Sequence, residues 1–369
     1  MPFTFLARSV TLHVAGRTTR NAGYSLAFNS LFVVQTGDAD AGVCVGTFGG
    51  LSTDPHSAAA CGQTLPTGTL RLLEADRAAP LRQPAAGACI QSSIRAICAR
   101  DGTLMQSVDR AVAVITGAGS GIGRATAVAL AKRGCAVVVT DLDISRAESV
   151  AEELTTNDCR AVGTRCDVTS DDDVAAAYAM TMSAFGRADI VMSNVGVIAM
   201  GLPEAIPLDA WSSLLDVNVV GTVRILQTFP PHLMARGSGH VVTTASTAGL
   251  FPYAYDRLPY AASKAAVVAI TDSLALYLRP KGIGVSCFCP AGVLTNIVEQ
   301  IRVYGPPTAV QAPQIPLITA EEAGELVVQG ILGDQPRILT NPVAGSMMER
   351  HARDAEGFLR AQIEYLEGA

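Results

Sequence analysis

Lysine is nearly missing from this chain. Of its 27 basic residues, 24 are arginine and three are lysine, Lys132, Lys264 and Lys281, so the place of each lysine carries information. There is no basic run, and the formal net charge is −6. The electropositive footprint of a nucleic-acid binder is therefore lacking. No unbroken apolar stretch approaches the roughly 18 residues of a membrane span, so no membrane partner is expected. The nine cysteines form no C-x-x-C pair and no Cys/His cluster with zinc spacing, so no metal site is expected either. Cys287 and Cys289 alternate along the strand-like "GVSCFC" and share one face. They read as core thiols, since free cysteine is often buried, rather than as a metal pair. A reducing, cytoplasmic setting suits them.

The 369 residues suffice for one large or two modest domains, and 49% of them are hydrophobic, enough for a large core. Residues 1–104 stand apart. They hold 8 Arg, no Lys and 6 acids, and they are rich in Ala, Gly, Ser, Thr and Pro. Short apolar runs such as "LFVV" at 31–34 occur without a sustained period, so the segment is expected to be irregular or disordered. Three readings compete. An over-extended reading frame or disordered tail would precede a start at Met105. A targeting peptide is the second, because residues 1–37 carry Arg8, Arg17 and Arg20 and no acid. A small accessory domain is the third. The first is preferred: residues 105–369 make an ordinary single domain, and every residue assigned to chemistry lies within it. The leading segment is then dispensable for folding and cofactor binding.

From Ala111 onward, apolar strands ("AVAVIT", "CAVVVT", "DIVMSN", "HVVTTAS", "GVSCFC") alternate with amphipathic helical stretches. That alternation predicts parallel strands joined by crossover helices, a doubly wound α/β sheet with helices on both faces. Between the first strand and its helix lies "VITGAGSGIGR". Gly117 permits the tight turn, Gly121 lets the backbone approach a pyrophosphate, and Gly123 lets helix and sheet pack closely. The spacing is G-x-x-x-G-x-G, and glycine turns also close ordinary βα loops. The second strand ends "VVVTDLD". Asp141, eighteen residues past Gly123, can accept hydrogen bonds from the adenosine ribose hydroxyls. Its charge repels the extra phosphate of NADP, and Ser120 offers that phosphate no base, so NAD is favoured over NADP. Asp141 could instead merely cap the next helix, a role Asp143 could also fill.

In "YAASK", Tyr260 and Lys264 share one helical face. A tyrosine with its ordinary pKa of about 10 is a poor base at neutral pH. A neighbouring ammonium would favour the phenolate. A lone Y-x-x-x-K is a common surface pair. Here it follows a glycine loop and a strand-ending serine, Ser246 in "TTASTAG".

From about Met105 the chain resembles the short-chain dehydrogenase/reductase family, on "TGAGSGIG", "CDVT" (166–169), "SNVG" (193–196), "DVNVVGT", Ser246, "YAASK" and "CPAGVLTN". The resemblance implies a seven-stranded Rossmann sheet. It makes Tyr260 the general acid/base, Lys264 the group that lowers its pKa, and Ser246 the donor to the substrate oxygen. Asn218 would hold, by its backbone carbonyl, a water passing protons from Lys264. Asp167 would contact adenine and Thr295 the nicotinamide carboxamide. Ser120, Ile122, Val168, Asn194, Gly196, Pro290 and Val293 carry over as cofactor contacts, beside Tyr260 and Lys264. Ser193, Val195 and Ala291 depart from the family's N-N-A-G and P-G-x-V-x-T.

Residues 297–318, apolar with four prolines, read as a mobile substrate lid, and "GVIAMGLPEAI" (196–206) as the facing wall. Arg302 apart, neither offers clustered arginine. A bulky apolar or aromatic secondary alcohol or ketone fits better than a sugar acid or acyl thioester. The helices expected at about 208–235 and 259–279 carry spare apolar residues (Val267, Val268, Ile270, Leu274, Leu276), and family members pair these helices between subunits, so a homodimer or homotetramer is expected. A cofactor-sensing binding protein on the same fold is the competing class, though it has no need of the Tyr–Lys pair. Epimerase or dehydratase chemistry on a nucleotide sugar would want more than the 74 residues after Thr295.

Overall fold

Runs of Val, Ile and Ala make the strands, as the β-branched pattern requires. The computed structural model describes residues 105–157, 159–295, 301–306 and 315–368, and two short antiparallel strands, Phe32–Val33 and Val45–Gly46. The rest of the leading segment, residue 296, and residues 297–300 and 307–314 of the expected lid lie outside the described residues.

Seven strands form one sheet: β1 (Val112–Thr116), β2 (Ala136–Asp141), β3 (Ala161–Arg165), β4 (Ile190–Ser193), β5 (Gly239–Thr244), β6 (Ile283–Cys289) and β7 (Arg337–Leu339). The order is β3-β2-β1-β4-β5-β6-β7, every pair parallel. This is the doubly wound Rossmann order. The edge strand β3, "AVGTR", is half-exposed and lacks the continuous apolar run of the central strands.

Side chains alternate between two cores. Ala113, Ile115, Val137 and Val139 pack against α1 (Gly121–Ala131), α2 (Ile144–Thr156) and α8 (Ala320–Leu332). Val112, Val114, Val138 and Val241 pack on the other face against α3 (Asp171–Phe185), α5 (Gly221–Thr228), α6 (Pro230–Arg236) and α7 (Leu258–Leu278). The polypeptide reverses its winding at β1, between β2 and β4, which opens a crevice at their C-terminal ends. α7 is apolar and long enough to cross a membrane by length and composition; here it packs on β6 and carries Lys264 and Asp272.

Two features depart from the sequence reading. The helix expected over 208–235 is three: α4 (Leu208–Leu215), then a π turn Asp216–Val220 leading into α5, then α6 beginning at Pro230. Pro230 removes an amide donor and is suited only to a first helical turn. Val267, counted among the spare apolar residues, is fully buried beside Cys287 and Cys289, whereas Leu276 is 81% exposed.

Beyond β7, α9 (Pro342–Arg353) and α10 (Ala355–Gly368) fold back. Phe358 is buried with Phe251, Tyr253, Ile315 and Ala344, its ring 5.9 Å from that of Phe251. The end of the chain thus braces the loop between β5 and α7.

His240 in β5 is buried, its Nε2 2.8 Å from Ser286 Oγ. Burial, helped by the charge of Arg279, holds its pKa down to about 3. Between pH 3 and 6.5 the folded state therefore binds fewer protons than the unfolded one, and stability falls as pH falls through that window, by at most ~1.4 kcal/mol per unit. In urea unfolding between neutrality and mild acid, His240→Gln is expected to flatten this dependence. An unchanged slope would place the acid sensitivity elsewhere.

Candidate active site

The crevice is built first from backbone. Gly117 and Gly121 have φ of +64° and +53°, a region open to glycine at little cost. A Cβ on Gly123 would lie 2.8 Å from Asn194 Nδ2 and 2.9 Å from the Ala118 Cα, and closer still to the Gly117 carbonyl oxygen. Gly117 and Gly121 thus stand where the backbone takes a left-handed turn, and Gly123 where helix and sheet pack closely. Ser120 stands at the N-cap of α1 but makes no side-chain cap, and the first turn carries no acid. By contrast Asp143, Ser170 and Thr319 cap α2, α3 and α8. The α1 N-terminus is the arrangement that receives a phosphate. Ile122 packs into the core behind the loop, and the Thr295 side chain lies over Gly121, 3.3 Å from where its Cβ would be.

Asp141 ends β2 at the rim. Its Oδ2 accepts the Gly119 N–H at 3.0 Å and its Oδ1 the Asp143 N–H at 3.1 Å. Asp143, not Asp141, caps α2. The Asp167 carboxylate accepts the Thr169 N–H and hydroxyl (2.9 and 2.7 Å), which hold it below the usual carboxylate range. Val168 beside it is buried against Gly221. Asn194 ties β4 to the glycine loop: its Nδ2 donates to the Thr116 carbonyl at 3.1 Å and its Oδ1 accepts from Thr244 Oγ1 at 3.1 Å. The departures from the family pattern are absorbed. Ser193 bonds Thr222, Val195 covers Gly117, and Ala291 is not among the positive-φ residues, so it fits without strain. Pro290 is buried and its carbonyl accepts the Thr247 N–H. Val293 is paired with Ile318. The dinucleotide fits the donors and spaces present.

The four expected catalytic residues converge beside this crevice. Asn218, fully buried in the π turn, binds the chain after β4. Its Oδ1 accepts the Val197 N–H (2.8 Å), and its Nδ2 donates to the Val197 carbonyl and Ser263 Oγ (both 3.0 Å). π turns recur at functional sites. Ser263 in turn donates to the Tyr260 carbonyl at 2.7 Å. Ser263 escaped the sequence reading, although its place inside "YAASK" could have flagged it. Ser246 caps a short turn by accepting the Ala248 N–H at 3.1 Å, and it is hydrogen-bonded to Tyr260. Lys264 Nζ donates to the Thr244 carbonyl at 2.8 Å and lies 5.8 Å from the centre of the Tyr260 ring. Gly196 makes room for it: a Cβ there would be 2.9 Å from Nζ.

The chain's own charges do not bring the Tyr260 phenol down. Burial pushes it up to about 12, against the Ser246 hydrogen bond that lowers it. Lys264 is itself pulled down to about 8 by burial, with Cys287 and Cys289 drawing it back up. Both groups are enclosed, and desolvation penalises each charged form.

The two expected walls meet. Ala199–Gly201 pairs in parallel with Arg302–Tyr304, and Val197, Ile198, Leu214, Ala248 and Tyr304 pack about Tyr260. Arg302 is exposed. A separate cavity of about 320 Å³ runs along the outer side of the β5–α7 loop, between Phe251, Tyr253, Ala261 and His351. Its lining includes none of Ser246, Tyr260 or Lys264, so it lies beside the chemistry. Among the described residues no three His, Cys, Asp or Glu side chains are grouped to hold a metal.

Sheet order, glycine loop and the Ser–Tyr–Lys cluster together define a Rossmann-type dinucleotide-binding oxidoreductase. The model of the short chain dehydrogenase family matches residues 111–303, and the chain belongs to that family. It is 32% identical over 192 residues to the cyclohexanol dehydrogenase of Acinetobacter sp. (strain SE19), covering 52% of this chain and 76% of that one. It is 31% identical over 194 residues to a (2S)-[(R)-hydroxy(phenyl)methyl]succinyl-CoA dehydrogenase subunit of Thauera aromatica, covering 53% and 77%. The crystal structure of a short chain dehydrogenase/reductase from Burkholderia phymatum in complex with NAD superposes with a TM-score of 0.63 at 31% identity, covering 68% of this chain and 96% of that one.

Proposed function

We propose that this protein interconverts a bulky apolar or aromatic secondary alcohol and its ketone, with NAD as the hydride carrier. The observation that carries the reading is the meeting of Ser246, Tyr260, Lys264 and Asn218 at the mouth of the glycine-loop crevice, under aliphatic walls. When bound, NAD supplies hydride transfer and a positive charge near the phenol. Ser246 orients the substrate oxygen and stabilises charge developing on it. Tyr260 takes the alcohol proton in oxidation and returns it in reduction. Lys264 favours the phenolate while it remains an ammonium, a condition that weakens as pH rises past about 8. The Asn218 carbonyl, bonded on one side by the Thr222 hydroxyl at 2.9 Å, holds the water that relays protons outward. The likeness to cyclohexanol dehydrogenase supports a cyclic or bulky alcohol. The Thauera relative keeps a thioester-bearing substrate as an outcome of the test. A homodimer or homotetramer in the cytoplasm completes the reading.

The test is NADH formation by the full chain over aliphatic, aromatic, steroidal and thioester-bearing alcohols. No turnover on any of them, with NADH bound, would sink the reading. Asp141 supplies a second arm. Asp141→Ser removes the charge at the ribose position and is expected to shift the NAD:NADP ratio of kcat/KM toward NADP by about tenfold or more, roughly 1.4 kcal/mol. An unchanged ratio would relieve Asp141 of that role.

A further inference from the structure

The substrate walls are uncharged but for two side chains. Among the described residues of 196–206, 301–306 and 315–319, Arg302 is the one cation and Glu204 the one anion. Strand geometry fixes where the arginine points. Side chains alternate along a strand, and residues paired across two strands share a face. Arg302 is paired with Ala199, and Tyr304 with Gly201. Ala199 and Tyr304 both pack in the cluster about Tyr260. The Arg302 side chain therefore leaves this ribbon on the face that the catalytic tyrosine occupies, and Val303, 60% exposed, leaves it on the other.

Neither wall supplies a counter-charge. Glu204 lies past the far end of the ribbon, where its neighbour Ala205 meets Gly305. From Arg302 to Gly305 the strand runs roughly 10 Å at ~3.3 Å per residue, a distance over which exposed charges are largely screened. Among the described residues Arg302 makes no ion pair and no side-chain hydrogen bond. Arg257 is different. It follows Asp256, whose carbonyl accepts the Gly201 N–H at 2.8 Å, and it is engaged by the fully buried Asp256 carboxylate at 2.7 Å.

We propose that Arg302 receives a carboxylate at the end of the substrate away from the reacting carbon, so that the substrate is a hydroxy acid or keto acid with an apolar body. This deepens the dehydrogenase reading given above and rests on it. A guanidinium presents a planar fork of donors that a carboxylate matches in pairs. A phosphate monoester carries a charge of about −1.5 to −2 at neutral pH, and one arginine above aliphatic walls leaves much of that uncompensated. A single carboxylate is balanced. Arg302 is exposed, so the pair stays in contact with water and is worth about fivefold in affinity, as surface ion pairs are. The contact is remote from the hydride and is the same in ground and transition states. It therefore lowers KM and leaves kcat alone.

The experiment uses the full chain, NADH and two ketones at neutral pH: cyclohexanone, and the same ring bearing a carboxylate opposite the carbonyl. Dissociation constants come from the fluorescence of the enzyme–NADH complex, and kcat and KM from NADH oxidation. At low salt, wild type is expected to bind the acid about fivefold more tightly than the neutral ketone, with the difference in KM. The gap should close at about 1 M salt. Arg302→Met should abolish it and Arg302→Lys keep part of it, with circular dichroism confirming the fold. Equal binding of the two ketones by wild type overturns the proposal. So does a gap that survives Arg302→Met, and so does binding of neither ketone. The two readings fail separately. An Arg302-dependent preference in binding, with neither ketone reduced, sinks the dehydrogenase and keeps the carboxylate site. Equal kcat/KM on both ketones keeps the dehydrogenase and sinks the carboxylate site.

Discussion

Tyr260→Phe is expected to lower turnover of any accepted alcohol by ~10²–10⁴-fold while NADH binding and the melting temperature stay near wild type. The ring keeps its packing against Leu214 and Ala199. Only the hydroxyl is lost. Its partner Ser246 is not orphaned, because Ser246 Oγ still accepts the Ala248 N–H and lies 3.5 Å from the Pro290 carbonyl. No buried group is left unsatisfied, so the usual cost of deleting a buried hydroxyl is small here. Initial rates and NADH fluorescence titration check it. Turnover within threefold of wild type would remove Tyr260 from the proton transfer and leave Ser246 and the cofactor to carry the reaction.

Gly123→Ala is expected to be the most damaging single methyl in the cofactor half. The new carbon meets main-chain atoms of Gly117 and Ala118 and the Asn194 amide, none of them the free end of a flexible side chain. Helix α1 would have to move off the sheet. Overpacking of this kind costs ~1–3 kcal/mol, and the displaced helix N-terminus would no longer face the phosphates. Loss of NADH binding by tenfold or more with a lower melting temperature is the expected pair of results. Gly121→Ala is the control: its new carbon meets only the Thr295 side chain, at 3.3 Å, and its cost is chiefly that of holding alanine at positive φ, about 1 kcal/mol. Equal damage from the two would show that conformation, not space, governs the loop.

The shape of the glycine loop was readable because glycine is irreplaceable where backbone must turn or pack closely. Gly117, Gly121 and Gly123 each answer to a local demand that survives in one dimension. The parallel sheet was legible for a similar reason, since buried strands leave continuous Val and Ile runs. Asn218 was found by resemblance, but its π turn was not: "DVNVVGT" has an ordinary helical period, and the break is tied to Val197 and Ser263, which come from elsewhere in the chain. The Tyr260–Lys264 spacing was legible and its electrostatics were not, because burial is a property of the assembled fold. The surroundings of Cys287 and Cys289 depend on Arg337, 48 positions beyond Cys289, and no short-range pattern announces it. The brace by Phe358 was missed because a single aromatic in a terminal helix has no period to read.

That brace also sets an order of events. The β5–α7 loop, which carries the chain from Ser246 to Tyr260, packs on a ring encoded about a hundred residues later. At ~5–20 residues per second on the ribosome, Phe358 arrives roughly 5–20 s after Tyr260. In that interval β1, β2 and the glycine loop can already pair, since their contacts are local in sequence. The loop that carries the chain from Ser246 to Tyr260 thus gains its support only after both of its ends have been made.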